Sequence, residues 1–205
     1  SVNSLGEIVM AGSAASSNIE GFVYVAMNAV YQATLSFTSQ NVGAGRLDRV
    51  NRILLTGLGC VTATGVVLGI GAWQGGRLLL GIYSGDAAVV EAGFVRLSII
   101  CGTYFICGMM DTMVGALRGL GYSVMPMMVS LMGACALRLV WIATVFQIPA
   151  YHTPECVYWS YPVSWVVTLL AHVLCYLWAK RRAGRRFTEA QARREAAGIS
   201  GQNTK

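Results

Sequence analysis

The chain has 205 residues, of which 55% are hydrophobic and 12% are charged, and its mean hydropathy is +0.57. This balance excludes an ordinary soluble globular domain. The net charge of +6 is concentrated at one place, because residues 180–205 hold eight basic and two acidic side chains and account for the whole excess.

Five long apolar stretches occupy most of the chain. Each could cross the hydrocarbon core of a bilayer, about 30 Å thick, which needs about 20 helical residues. The sequence therefore predicts an all-α, polytopic membrane helical bundle with about five transmembrane helices. The odd number of spans and the start at a serine lead us to expect a piece of a larger protein. The stretches cover residues 8–37, 53–73, 94–117, 125–148 and 157–179.

The first stretch carries a polar stripe. Glu20 and Asn28 are eight residues apart, and Gln32 follows four residues later, so the three lie near one face of a helix. Polar side chains of a spanning helix are expected to face the protein interior or a wet cavity rather than lipid. These three residues are therefore predicted to line a substrate or cation pathway.

The second stretch contains two GxxxG patterns, Gly65 with Gly69 and Gly71 with Gly75. Small residues at this spacing allow two helices to approach closely in lipid. Both patterns are predicted to form a packing seam.

The third stretch contains Asp111, whose carboxylate costs several kcal/mol in a bilayer unless it is paired or hydrated. Three interpretations stay open. It forms a packing charge pair with Arg138 of the next stretch, it is a coupling-ion or proton site, or it reaches the cytoplasmic surface. Arg118, seven residues further on, lies close to the same helical face and could be linked to Asp111 through water.

The distribution of basic residues predicts the orientation. Twelve of the fifteen lie in the first connection, the turn after the third stretch and the C-terminal tail. Cytoplasmic segments are enriched in Lys and Arg, so we expect an inner (cell) membrane protein with a cytoplasmic C-terminus. A nucleic-acid-binding tail and a lipid-binding basic patch are the alternatives. Residues 1–182 are predicted to be the membrane domain, and residues 183–205 a basic, disordered cytoplasmic tail. The tail is expected to be weakly helical at first, over residues 189–194, and disordered over residues 198–205.

The sequence shows no enzyme motif. It has no HExxH, GxSxG or phosphate-binding loop, and no CxxC pair among its six cysteines. We therefore predict no catalytic residues, no metal site and no ATP-driven step within this chain.

Several motifs in a fixed order resemble the MATE (multidrug and toxic compound extrusion) family of the MOP flippase superfamily. Residues 40–49 resemble its QN-x-GAG-x-x-x-R turn, and residues 116–126 resemble its LRG-x-G-x-x-x-x-P turn. Arg138 matches an arginine in the following helix, and residues 161–165 match the start of the last helix. The motif positions in the two turns are Gln40, Asn41, Gly43, Gly45, Arg118, Gly119 and Gly121.

The resemblance implies a fold of twelve helices in two six-helix lobes, of which this chain is similar to helices eight to twelve. It further implies secondary active efflux of drugs or cationic amphiphilic compounds by alternating access, coupled to Na⁺ or H⁺. Asp111 lies on the helix that matches helix ten, where some members carry an acidic cation ligand. It lies nearer the LRG turn than that ligand, whereas Cys107 lies closer to the expected position.

The implied partners are the small-molecule substrate, the N-terminal lobe and membrane lipid, with no nucleic acid and no cofactor besides the coupling ion. We expect the five helices alone not to transport. Two alternatives remain. One is a flippase for lipid-linked oligosaccharide or polysaccharide, which requires a strongly cationic cavity. The other is a structural membrane subunit without a coupled substrate.

Overall fold

The computed structural model describes residues 6–196, and this part of the chain consists of helices joined by short turns, with no strand. The predicted all-α bundle is therefore confirmed. The helices in chain order are α1 (Glu7–Gly43), α2 (Leu47–Gln74), α3 (Gly76–Tyr83), α4 (Ala87–Gly119), α5 (Val124–Ser130), α6 (Leu137–Thr144) and α7 (Pro154–Ala196).

A π-helical turn joins α5 to α6 without a break. It spans Leu131–Ala136, and α6 continues into a 3₁₀ turn that ends at Gln147. Val124–Gln147 therefore forms one continuous helical rod. Gly133 lies in the π turn directly against the side chain of Thr168 on α7. The π turn, near the middle of the rod, is therefore the part of the rod that contacts α7 at Thr168.

Four helices in the described chain are long and apolar enough to cross a membrane, which makes this an integral membrane protein. They are α2, α4, the rod over Val124–Gln147, and α7 over Pro154–Glu189. The fifth predicted span lies in α1, which has 37 residues and a length of about 55 Å but is less apolar. Its first half contains Ser13, Ser16 and Glu20, all of which are buried inside the bundle.

Helix α4 lies at the centre and packs against α1, α2 and α7. Glycines permit this packing because they leave no side chain between the helices. A Cβ atom built at Gly12 of α1 would lie 2.6 Å from the backbone nitrogen of Gly93 on α4. One built at Gly115 of α4 would lie 2.9 Å from the carbonyl oxygen of Tyr31 on α1.

One of the two predicted glycine seams on α2 is correct. Cβ atoms at Gly65 and Gly69 would lie 2.9 and 2.5 Å from backbone atoms of Phe105 and Cys101 on α4. Gly71 has no neighbour within 4 Å, and Gly75 lies just beyond the end of α2, beside the Gly71 carbonyl oxygen and the Leu79 side chain of α3. The second pattern is therefore not a seam between α2 and α4, because Gly71 lies on another face of α2 and Gly75 lies in the turn to α3.

The basic end of the bundle, where the α1–α2 turn, the α4–α5 turn and the C-terminal part of α7 meet, is held together by α7. Tyr176 donates a hydrogen bond to Asn51 at 2.8 Å, and the Trp178 ring packs edge-on against Tyr122 at 5.6 Å. The Phe187 ring lies against Gly45, whose φ of +76° suits glycine.

Residues 183–196, the first part of the predicted tail, are helical, because α7 continues to Ala196. This segment is rich in Ala, Arg, Glu and Gln, which favour helix, and Phe187 packs it against the α1–α2 turn. Residues 197–205 lie outside the described residues, as do residues 1–5.

Candidate functional site

A buried ion pair links α1 to α4 in the half of the bundle away from the basic end. Arg96 donates from Nε to Oε1 of Glu20 at 2.8 Å and from Nη2 to Oε2 at 2.9 Å. Nη1 donates to the Ser13 hydroxyl at 2.8 Å, and the Ser16 hydroxyl donates to Oε1 of Glu20 at 3.0 Å. Glu20 is 7% exposed and Arg96 9% exposed, so the carboxylate is neutralised within the protein.

Aromatic rings of α7 complete this cluster. The Arg96 guanidinium lies 5.7 Å from the centre of the Tyr158 ring and 5.6 Å from that of Tyr161. Arg138 of α6 also lies over the Tyr161 ring, at 4.0 Å, and donates to the Ser164 hydroxyl at 2.9 Å. One tyrosine ring therefore contacts two cations from two different helices.

The predicted charge pair between Asp111 and Arg138 is absent. The ion pairs among the described side chains are Glu20 with Arg96 and, on the surface, Arg77 with Glu91. Arg138 points to α7 instead, since the π turn and α6 pack against that helix.

Asp111 is half-buried on the side of α4 that faces α1. Tyr24 of α1 lies close enough for its hydroxyl to interact with the Asp111 carboxylate and with the Asn28 side chain. The Arg118 charge is close enough to act on Asp111, while its Nη1 donates to the Tyr31 hydroxyl at 2.7 Å. Asp111 has no ion-pair partner within 4.0 Å among the side chains that the structure describes.

The predicted polar stripe of α1 is divided between two environments. Glu20 is buried in the cluster with Arg96, Asn28 is half-buried beside Tyr24, and Gln32 is exposed. The polar surface of α1 near Asp111 therefore runs through Tyr24, Asn28 and Gln32, which recur every fourth residue.

The residues of the two motif turns shape the basic end. The Gln40 amide donates to the Ser36 hydroxyl at 3.2 Å, and the Asn41 amide donates to the Phe37 carbonyl at 2.9 Å. Gly119 packs against the side chain of Thr38. Gly121, with φ of +90°, allows the chain to reverse, whereas Gly43 has no neighbour within 4 Å. These glycines therefore serve the turns and the contact between α1 and α4.

Sequence reasoning gave no site role to Arg96, Tyr24 or Tyr158, and it placed Tyr161 only in the motif at the start of the last helix. Arg96 counted only as a basic residue near the outer end of its span, although an arginine within an apolar run signals an internal partner. Tyr24 could have been found from its spacing, because it lies midway between Glu20 and Asn28.

The side chains around Asp111 determine which cations could bind there. No group of three or more His, Cys, Asp or Glu side chains that could hold a metal ion occurs among the described residues. Asp111 combines a carboxylate without an ion-pair partner among the described side chains, a tyrosine hydroxyl and a nearby amide. Such a site could take up a proton, an alkali cation or an organic cation.

A comparison with known protein families gives a match to the MatE family over residues 1–144. The chain belongs to the MatE family. Its two motif turns, Arg138 and the Asp111 helix all lie within the matched region.

One relative of this MatE chain is a probable multidrug resistance protein NorM from Aromatoleum aromaticum (strain DSM 19018 / LMG 30748 / EbN1). The two are 26% identical over 185 residues, which cover 89% of this chain and 39% of the relative. The MatE chain thus spans well under half the length of that protein. No solved structure matches it.

Proposed function

We propose that this chain forms most of the C-terminal lobe of a membrane efflux transporter that exchanges small organic cations for Na⁺ or H⁺. The observation that carries the proposal is the contrast between two interior carboxylates. Glu20 is neutralised by Arg96, whereas Asp111 is half-buried beside Tyr24 without an ion-pair partner among the described side chains. Membership of the MatE family and the name of the relative, a probable multidrug resistance protein, support transport of drugs.

Exchange of the drug for the ion would follow if both compete for the Asp111 carboxylate. An acidic group within the membrane favours an occupant that removes its charge, and a proton, Na⁺ or a cationic drug would each do so. If only one is bound at a time, entry of the ion on one side releases the drug on the other. Tyr24, Asn28 and Gln32 would provide neutral polar contacts along the route. The facing wall would come from a second, N-terminal lobe, which alternately opens to each side.

The test uses inverted membrane vesicles from cells that express the whole protein containing this chain. Ethidium transport is followed by fluorescence under an imposed pH gradient and, separately, an imposed Na⁺ gradient. We expect one gradient to drive transport, and Asp111→Asn to lower the rate at least about tenfold at equal expression. Glu91→Gln, which removes an exposed carboxylate of the same helix, is the matched control and should transport normally.

The antiport proposal fails if neither gradient moves any cationic dye. Transport by Asp111→Asn at the original rate, with unchanged ion dependence, would remove Asp111 from the coupling site.

A polysaccharide flippase would need several cationic side chains in the interior whose charge is not balanced by a carboxylate. Here the charge of Arg96 is balanced by Glu20, which leaves Arg138 and Arg118 as the candidates. A structural subunit would show no gradient-driven transport at all.

We also propose that the basic end faces the cytoplasm of a cell whose inner membrane holds the protein. The α1–α2 turn with the start of α2, the α4–α5 turn and the long α7 bring eleven of the fifteen basic residues to this end. A fluorescent protein fused after Lys205 should fluoresce, whereas alkaline phosphatase at the same point should be inactive. The reverse pattern would overturn the orientation.

A further inference from the structure

Helix α7 carries a continuous apolar stripe on its outer side. Val163, Val167, Leu170, Leu174 and Trp178 recur at intervals of three or four residues, so they share one face. All five are exposed, with Leu174 68% and Trp178 47% exposed. Among the residues that the structure describes, no helix covers this face, which makes it suitable for contact with acyl chains.

The same face becomes basic directly beyond Trp178. Arg181, Arg182 and Arg185 continue the stripe, and together with Trp178 and Glu189 they line a groove of about 530 Å³. All three arginines are exposed, and none of them takes part in an ion pair within the described structure. Glu189 lies one turn beyond Arg185 and ends the run of positive charge.

This groove is held at a defined place relative to the bundle. The Arg182 guanidinium lies 5.2 Å from the centre of the Trp178 ring, and that ring packs against Tyr122 of the α4–α5 turn. Further along α7, Phe187 lies against Gly45. The 43 residues of α7 span about 65 Å, roughly twice the thickness of the hydrocarbon core, so the arginines can project at the membrane surface.

We propose that this face of α7 is a binding site for an anionic phospholipid. The acyl chains lie along the apolar stripe, Trp178 sits at the level of the glycerol backbone, and the headgroup phosphate is bound by Arg181, Arg182 and Arg185. Guanidinium groups suit this role because their planar N–H donors match phosphate oxygens in pairs. A lipid without compensating ammonium, such as phosphatidylglycerol, fits better than zwitterionic phosphatidylcholine. The site does not depend on the transport proposed above.

The test measures quenching of Trp178 by brominated lipids. Purified protein is reconstituted into phosphatidylcholine vesicles that contain the same mole fraction of brominated phosphatidylglycerol or brominated phosphatidylcholine. The Trp178 signal is the difference between the wild-type protein and Trp178→Phe. We expect brominated phosphatidylglycerol to quench it with about three- to fivefold higher apparent affinity, an advantage that shrinks at high salt.

A variant with Arg181→Gln, Arg182→Gln and Arg185→Gln should lose this preference. The matched control carries Arg46→Gln, Arg49→Gln and Arg52→Gln, which removes three exposed charges from the same end of the bundle. It should keep the preference. Glu189→Gln should increase the preference, a gain that misfolding cannot produce.

Three results would overturn the proposal. The first is equal quenching of the wild-type protein by both lipids, and the second is an equal loss of preference in the control variant. The third is an absence of Trp178 quenching by either lipid, which would mean that another protein segment covers this face of α7.

Discussion

Arg96 holds both carboxylate oxygens of Glu20, at 2.8 and 2.9 Å, and thereby ties α1 to α4 deep inside the bundle. The two residues are 76 positions apart in the chain. Because both side chains are buried, the pair differs in kind from the exposed pair of Arg77 and Glu91. A buried charge that loses its partner is costly, whereas an exposed one is rehydrated.

Glu20→Gln should therefore lower the free energy of unfolding by about 3–5 kcal/mol, since it leaves the Arg96 cation buried without a countercharge. Unfolding in mixed micelles measures this change. Glu91→Gln is the control, and its transition should not move measurably.

The double variant Glu20→Gln with Arg96→Gln should be less destabilised than the sum of the two single variants, because it removes both charges together. Strict additivity of the two single effects would show that Glu20 and Arg96 are not coupled.

Tyr24→Phe should reduce gradient-driven dye transport several-fold without changing stability. The hydroxyl lies beside Asp111, while the ring is 37% exposed and its apolar surface is retained in phenylalanine. Tyr83→Phe removes the hydroxyl of another exposed tyrosine, on α3, and serves as the control. Equal transport by the wild-type protein and Tyr24→Phe would exclude a role for this hydroxyl.

Gly69→Ala and Gly71→Ala should have opposite effects although they lie on the same helix. A methyl group at Gly69 would lie 2.5 Å from the Cys101 carbonyl oxygen, so we expect a loss of about 1–3 kcal/mol. At Gly71 the space is open, and alanine should be neutral or stabilise the helix by up to about 1 kcal/mol. The same unfolding assay applies, and similar losses at both positions would argue against the seam on α4.

Phe187→Ala should expose the α1–α2 turn to protease. The Phe187 ring covers Gly45, next to the trypsin sites Arg46 and Arg49. We expect cleavage at these two sites to accelerate several-fold, quantified by mass spectrometry of the released peptides. Thr188→Ala changes the neighbouring exposed residue and should leave the rate unchanged. An unchanged rate in Phe187→Ala would mean that the ring does not protect the turn.

The helices could be predicted from apolar length alone, because a bilayer requires about 20 apolar residues in each span. Helix α1 is the hardest of these helices to recognise as a membrane span from its hydropathy. Its serines and Glu20 lower its hydropathy, and they are accommodated because they face α4 rather than lipid. The continuous helix at the end of α7 could be predicted only as a weak helix over residues 189–194, because a charged sequence is typical of a solvated segment. Phe187 gave the only apolar signal in that stretch of a contact with the bundle.

The site could be predicted only in part, since its pairings depend on how the helices are rotated. Glu20, Asn28 and Asp111 were found because polar side chains are rare in apolar stretches. The side chains that contact these three residues could not be predicted. Asp111 faces Tyr24 of α1, whereas Arg138 faces Tyr161 of α7, and sequence spacing does not determine either direction.

The π-helical turn between α5 and α6 has a consequence for the length of this helix. Ser130, 3.5 Å from His172, and Arg138, bonded to Ser164, both face α7 although they are eight residues apart. In a regular α-helix, positions seven apart share a face, and the eighth is rotated by about 80°. The π turn absorbs one extra residue and restores the alignment. A chain one residue shorter within 131–136 could therefore form an uninterrupted α-helix and present the same two side chains to α7.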